Sequence, residues 1–346
     1  MKKRMIAILL CAMTVFATAC GNEAPKEQTK EKPEEKVEES RIVDGMDREI
    51  EKPEKVDKIS ITCNGGAIQE ISVLHQNDKV VSLPSIKQFK MLSKMYENLN
   101  TAADVGSFDD VNLEGLLELK PDIVFVGNHT PKTNEMIEQA GLQTFNLYCG
   151  QAGIDSLQKE FKNVGAVLDA QDEAEKLLNY WTEKMEMIEE MVKDIPENER
   201  KSVYYVSKDI TAANNGEWGK SCIDFINADF AMKDIPSGSE VSVEQVLTVN
   251  PDVIVKQKND MGLDVILDDA RISKLNAVEN KEVYQFPIGG FWWDRPSPES
   301  PLGLMWLAKT VYPEYTEKID LRKECDYFFK TFYNYELTDE DYNSFF

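Results

Sequence analysis

The sequence predicts an α/β protein of two Rossmann-like lobes, each with a central parallel sheet, joined by one long rigid α-helix, with a ligand cleft between the lobes. Three observations lead there. Residues 112–126, NLEGLLELKPDIVFV, and residues 242–255, SVEQVLTVNPDVIV, share a pattern of Glu, any residue, Leu or Val, Leu, three residues, Pro, Asp and a β-branched run. Each copy reads as a short helix carrying its Glu near the start, broken by Pro-Asp and followed by a strand. Those strands are apolar without alternation, as expected where both faces of a parallel sheet are covered. Between the copies lies one amphipathic stretch, residues 169–195. Internal similarity of this kind points to two units of similar build.

In the connecting stretch Ala174, Leu177, Leu178, Trp181, Met185, Ile188, Met191 and Val192 recur every three or four positions, with acids and lysines between them. One stripe therefore faces protein and the other water. Asp169 is the expected N-cap, acids follow in the first turns, Lys193 sits in the last turn and Pro196 cannot continue the helix. Such a helix is about 36 Å long, the width of a small domain.

The 346 residues, 42% of them hydrophobic, exceed what one compact core holds and suit two domains. Residues 1–19 read as an export signal, since Lys2, Lys3 and Arg4 precede an apolar run from Met5 to Phe16 too short to span a bilayer. Cys20, directly after Ala17-Thr18-Ala19, resembles a bacterial lipobox in which the thiol is lipidated, except that Ala17 stands where Leu is preferred. The same three residues also satisfy ordinary signal-peptidase cleavage. Residues 20–40 are mostly Glu, Lys and Pro with almost nothing to bury, and read as a solvated tether. Residues 41–168 then form the first lobe, 169–195 the connecting helix and 196–346 the second lobe. The expected place is the extracytoplasmic face of the cell membrane, held there by the lipid anchor.

The formal charge is −23, and it becomes −26 once Lys2, Lys3 and Arg4 leave with the signal. Phosphate contacts require a basic surface, which argues against nucleic-acid binding. Beyond Cys20 the cysteines are Cys63, Cys149, Cys222 and Cys325. They lack the close spacing of a zinc site and are too few for a disulfide scaffold, so they read as buried thiols, with a bridge inside either lobe left open.

From Ile42 a short hairpin leads to a first strand at 56–62 and a helix over 64–75. Strands at 80–83, 122–127 and 143–147 alternate with helices at 86–97, 112–119, 132–139 and 154–168. Past the connector come a strand at 202–207, helices at 220–230 and 243–249, strands at 252–256 and 283–286, and a helix at 301–311. The tail from Leu321 carries Tyr327, Phe328, Phe329, Phe332 and Tyr333 at helical spacing, which reads as core.

Ligands of parallel α/β sheets collect outside the carboxyl ends of the strands. Those ends are Cys63-Asn64-Gly65, Ser85, Gly127-Asn128-His129 and Tyr148-Cys149-Gly150 in the first lobe. In the second they are Lys208-Asp209, Gln257-Lys258 and the run from Gly289 to Arg295. Across a cleft between lobes these loops converge on one site. Trp292 and Trp293 follow two glycines, where large rings can face a cleft, although core packing suits one of them as well. Arg295 offers a planar fork for a carboxylate, catecholate or oxyanion, or a cation to stack on a ring. A salt bridge to Asp294 or Glu299 is the competing reading. Trp218, after Asn214-Asn215-Gly216, is a further cleft candidate. His129 ends a strand on the ligand side and could coordinate iron, haem or cobalt, or be an ordinary loop residue.

The two E-x-x-L-x-x-x-P-D-[IV] segments, the opening VDGMDREIEKP, the single bridging helix and the tail PESPLGLMWLAKTVYPE together resemble the substrate-binding proteins of ABC importers for iron-siderophores, haem and cobalamin. The resemblance covers almost all of residues 42–346. It implies a receptor without a cofactor of its own, which captures an iron-siderophore or related metal chelate, haem or cobalamin. The receptor would deliver that ligand to an ABC permease dimer with its ATPase. Related receptors bind oxyanions such as molybdate, and a molybdate- or tungstate-like ligand is the alternative. In that family each lobe carries a surface Glu that pairs with permease arginines, and the matching positions are Glu114 and Glu244. The helix dipole alone favours an acid at either place, but two equivalent carboxylates on a rigid frame are what a symmetric permease can read. The family also places an aromatic a few residues before the first Glu, facing the ligand, and here that position is Phe108.

Asn214 to Ser221, NNGEWGKS, is like a phosphate loop but begins with Asn and does not follow directly from a strand. Neither a G-x-S-x-G nucleophile elbow nor an HExxH pair is present. No catalytic residue is assigned, and the chain is not expected to be an enzyme. A surface α/β enzyme and an adhesion module without a small ligand are the remaining readings.

Overall fold

The structure is a computed structural model describing residues 42–214, 216–236 and 239–346; the signal, Cys20 and the tether lie outside the described residues. The described residues form ten strands: β1 (Ile59–Ile61), β2 (Val80–Ser82), β3 (Gly106–Ser107), β4 (Asp110–Val111), β5 (Ile123–Gly127), β6 (Thr144–Leu147), β7 (Ser202–Val206), β8 (Asp229–Phe230), β9 (Val253–Lys256) and β10 (Val283–Gln285). The first sheet is parallel in the order β2-β1-β5-β6, and the second is parallel in the order β10-β9-β7-β8. Read from β2 and from β8 the two orders are the same, so β7, β8, β9 and β10 stand where β1, β2, β5 and β6 stand. The helices of the first lobe are α1 (Ala67–Val73), α2 (Lys90–Met95), α3 (Leu113–Leu119), α4 (Pro131–Gln139) and α5 (Ile154–Val167). The connector is α6 (Gln171–Val192), and the second lobe continues with α7 (Glu217–Phe225), α8 (Val243–Val249), α9 (Asp264–Leu267) and α10 (Asn276–Glu279). The chain closes with α11 (Ser300–Val311), α12 (Leu321–Phe332) and α13 (Asp339–Asn343).

The repeated segment has the same construction twice. In α3 the Asn112 side chain accepts from Gly115 N at 3.0 Å, and in α8 Ser242 and Gln245 form a reciprocal capping box. Both helices end on a left-handed residue, Lys120 (φ 51°) and Asn250 (φ 47°). The Asp after each Pro then grips the start of the neighbouring strand. Asp122 Oδ2 accepts from Asp57 N and Lys58 N at 2.8 Å each, and Asp252 Oδ2 accepts from Ser202 N at 2.9 Å. β5 and β9 follow, buried along their whole length. These carboxylates hold the end of each sheet opposite to the ligand side.

The opening hairpin closes through the Val43–Glu49 bridge. Its buried Asp44 takes the Arg48 fork at 2.7 and 2.9 Å and accepts from Asn146 Nδ2 at 2.9 Å, which fastens the hairpin to β6. The connector starts later than expected. Asp169 is not its N-cap: it lies at φ 57° and ends α5 instead, with Ala170 N returning to Gly165 O at 2.8 Å. Its carboxylate pairs with Lys52. Elsewhere α7 stops at Phe225 and the chain forms the edge strand β8, where a single helix over 220–230 was expected. The β3–β4 hairpin is not legible in the sequence, because two-residue strands leave no readable alternation. α6 packs against α5 and α11. At its centre Trp181 is fully buried, edge-on to Phe161, and donates its indole N–H to Pro298 O at 3.0 Å. The tail helix α12 lies on α6 through Tyr180, which meets Phe328 and Phe332 at 5.5 and 5.4 Å. The same tail touches the first lobe, with Tyr96 donating to Tyr333 O at 3.0 Å and Lys94 to Asp341 at 2.6 Å.

Candidate ligand-binding site

The carboxyl ends of both sheets border a cavity of about 560 Å³. The first lobe contributes Gly65 after β1 and Cys149, Gly150 and Gln151 after β6. The second contributes Tyr205 at the end of β7, Asn214, the start of α7 from Gly216 to Gly219, Gln257 after β9, and Asp294, Arg295 and Pro296. Gly65 has to be glycine: its φ is +79°, and a Cβ would sit 2.7–2.8 Å from the Cys149 backbone.

Arg295 is the one cationic side chain among these lining residues. Its guanidinium carbon lies 3.9 Å from the centroid of the Trp292 ring, Nε stands 3.4 Å from Asp294 Oδ1, and Nη2 makes a long 3.4 Å contact with Lys258 O. Its side chain keeps 29% of its exposure. Asp294 is buried, and burial pushes its carboxyl up to about 6 against the opposing pull of Arg295. Its Oδ2 accepts from Lys258 N at 2.8 Å.

The loop bearing this arginine is held from below by Glu299, not by a bridge between Glu299 and Arg295. The buried Glu299 carboxylate accepts from Tyr333 OH at 2.7 Å, Trp293 Nε1 at 2.9 Å and Gly290 N at 3.1 Å, and burial pushes it up to about 7. A Cβ at Gly289 or Gly290 would meet that carboxylate at 2.3 or 2.7 Å. Across the lobes Gln69 Nε2 donates to Gly290 O at 3.1 Å. The loop after β9 has its own anchor in buried Lys256, whose ammonium donates to Asn259 Oδ1 at 2.8 Å and Met261 O at 2.7 Å. On the first-lobe wall Glu160 accepts from Tyr148 N at 2.7 Å and is hydrogen-bonded to Glu70; burial pushes Glu160 up to about 7 and Glu70 upward as well. Glu299, Lys256, Glu160 and Glu70 are not legible as site supports in the sequence, because nothing local distinguishes them from surface charges.

The two tryptophans of the second lobe part company. Trp292 is half-buried, supports Arg295 and packs edge-on to Phe89 of the first lobe at 4.7 Å. Trp293 lies in the core against Phe345, away from the cavity. Trp218 lines the cavity, mostly buried. Phe108 and His129 pack at a tilt, centroids 4.7 Å apart, beside Gly127, the last residue of β5, at the carboxyl end of the first sheet but outside the lining. Phe108 holds a left-handed φ of 55° in the β3–β4 turn, a conformation bulky residues rarely adopt. Its N–H is tied to Thr62 O at 2.8 Å. His129 is exposed, with Asn128 3.4 Å from its Nδ1. Glu114 and Glu244 are both exposed in the first turns of α3 and α8. Among the described residues no group of three or more His, Cys, Asp or Glu is placed to hold a metal ion, and no helix is long and apolar enough to cross a membrane. Cys63, Cys222 and Cys325 are buried free thiols and Cys149 is a partly exposed one.

Residues 62–287 match the Periplasmic binding protein family, a span that starts directly after β1 and takes in every other strand of the two four-stranded sheets. The chain belongs to that family. Among its relatives is the molybdate-binding protein MolA of Haemophilus influenzae, 26% identical over 84% of this chain and 90% of MolA. The uncharacterized ABC transporter substrate-binding lipoprotein YvrC of Bacillus subtilis is 25% identical over 91% of this chain and 99% of YvrC. The petrobactin-binding protein YclQ of the same organism is 22% identical over 82% of this chain and 90% of YclQ. The solved structure of MolA bound to molybdate aligns with a TM-score of 0.75 at 23% identity, over 86% of this chain and 99% of that one. The shared architecture is two parallel sheets in separate lobes with a helical connection, the fold of this family of binding proteins.

Proposed function

We propose that this binding protein is the solute receptor of an ABC importer, and that it captures an anionic metal chelate of the iron-siderophore class and hands it to a permease driven by its ATPase. The observation that carries the ligand class is Arg295. In a chain of formal charge −23, a guanidinium pre-set on a tryptophan at a cavity between two lobes selects a negatively charged guest. A cavity of about 560 Å³ has room for a chelate with several carboxylate or catecholate groups, and far exceeds one tetrahedral ion. The similarity to the petrobactin-binding protein YclQ supports this reading. A molybdate-like oxyanion is the second reading, favoured by the similarity to MolA and compatible with the same arginine. Haem and cobalamin are weaker fits, since no histidine is among the lining residues and His129 sits outside them.

Glu114 and Glu244, one at the rim of each lobe, are the proposed docking points on the permease, and Cys20 the proposed lipid attachment. No chemical step is assigned to the site: affinity in the free receptor and its loss on docking account for transport. Native mass spectrometry of the protein purified from its own cells tests the ligand. A retained iron chelate is the expected result. A bare oxyanion would favour the second reading, and catalytic turnover of a bound molecule would overturn the receptor role.

A further inference from the structure

We propose that Asp294 couples capture of an anion at Arg295 to uptake of one proton from the medium, so that the site holds an acidic ligand more tightly as the surroundings acidify. This rests on the reading of the cavity as an anion site and adds the residue that sets its pH dependence.

The geometry leaves the Asp294–Arg295 pair half made. Asp294 has no side-chain exposure, and its Oδ2 accepts from the backbone N–H of Lys258 at 2.8 Å. Oδ1 is buried without a hydrogen-bond partner among the described residues. Arg295 Nε attracts it from 3.4 Å but is not aligned to bond it. The guanidinium is instead shared between that carboxylate, the face of Trp292 and a long contact to Lys258 O. A cation held this way is open to a better partner, and it keeps 29% of its surface for one.

The titratable and charged groups that face Asp294 are few. Besides Arg295 they are Lys256 at the end of β9, Lys258 two residues on, Tyr205 on β7, Cys222 on α7, and Glu217 at the start of α7, which lines the same cavity. The Lys256 ammonium is engaged by Asn259 Oδ1 and Met261 O, and Tyr205 OH donates to the backbone carbonyl of Asp294 at 3.2 Å. Arg295 is therefore the main charge that keeps the buried carboxylate ionised. An anion seated on Arg295 claims that charge and sets a second negative group within a few ångströms, and both effects favour protonation of Asp294. Burial has already pushed its carboxyl up to about 6, so a modest further push brings protonation into the range of neutral pH. No covalent bond changes; a solvent proton moves onto one carboxylate oxygen.

The test is isothermal titration calorimetry of the mature protein with ferric citrate and with molybdate, at about pH 6 and about pH 8, in buffers of different ionisation enthalpy. The expected result is affinity rising as pH falls, by up to tenfold per pH unit, with up to one proton taken up per anion bound. In Asp294→Asn the anion still binds, while the proton uptake and the pH slope fall to whatever the ligand's own titration supplies. Infrared spectroscopy gives a reading free of any variant, because adding molybdate to the wild type should raise a protonated-carboxyl band. Binding without proton uptake, linkage unchanged in Asp294→Asn, or no such band would overturn the inference and leave the anion reading intact. Failure of both anions to bind the wild type would overturn the anion reading and this inference together.

Discussion

Arg295 owes its orientation to three neighbours, Trp292, Asp294 and Lys258, and none of them consumes its whole fork. Arg295→Ala should weaken binding of an anionic ligand by at least about tenfold, the size of one charge-assisted hydrogen bond. Equilibrium binding with a matched circular-dichroism spectrum checks this, and unchanged affinity would return the residue to a structural role. The buried acids make a separate prediction about stability. Glu299 and Glu160, each pushed up to about 7, and Asp294, pushed up to about 6, all stand above their unfolded values. A raised carboxyl contributes stability that is fully present below the unfolded pKa near 4 and is lost as pH rises through the folded one. Asp341 runs the other way: against the push of burial, bonds from Lys94 and Thr338 hold it at about 2, so its contribution is lost only in strong acid. Urea denaturation should therefore give a more stable protein near pH 5 than near pH 8. Glu299→Gln should flatten that slope, and a slope of opposite sign would refute the assignment.

The paired helix-Pro-Asp-strand units show how much of an element is written locally. Caps, breaker and strand are all read from about fourteen consecutive residues, because each device acts within a few positions of itself. What those residues do not reveal is that Asp122 and Asp252 bond the backbone where a different strand begins. That contact joins positions 64 and 50 residues apart. Asp122→Ala and Asp252→Ala should each cost about 0.5–1.5 kcal/mol in chemical denaturation, since each removes the acceptor of exposed or half-buried backbone N–H groups. Trp181→Ala, which removes a fully buried ring and its bond to Pro298 O, should cost about 3–5 kcal/mol. The connector's start illustrates the limit of local reading. Asp169 has the chemistry of an N-cap, but the left-handed turn that ends α5 claims it first.

The two lobes are tied at more than one place: α6 runs between them, α12 lies on α6, and the tail reaches the first lobe through Tyr333 and Asp341. A frame braced in this way should close little on its ligand. Small-angle scattering with and without ligand should give nearly equal radii of gyration, and a large change would contradict the bracing. The proposed docking also belongs to the whole molecule. Glu114 and Glu244 sit at equivalent places on equivalent helices, and both are exposed. Glu114→Ala combined with Glu244→Ala should stop uptake by whole cells while leaving ligand affinity unchanged, and normal uptake would rule the pair out.

By itself the sequence determined the layer pattern, the duplication, the long connector and the charged candidate Arg295, because each of these is set by residues near one another in the chain. Tertiary structure alone decided which loops meet. It drew Trp292 to the arginine and sent the adjacent Trp293 into the core, left Phe108 and His129 beside the cavity and not in it, and brought Glu299, Lys256 and Glu160 beneath the walls. The physical reason is that burial and partnership are properties of position in space: a carboxylate in the sequence is the same residue whether water or a tryptophan N–H will face it.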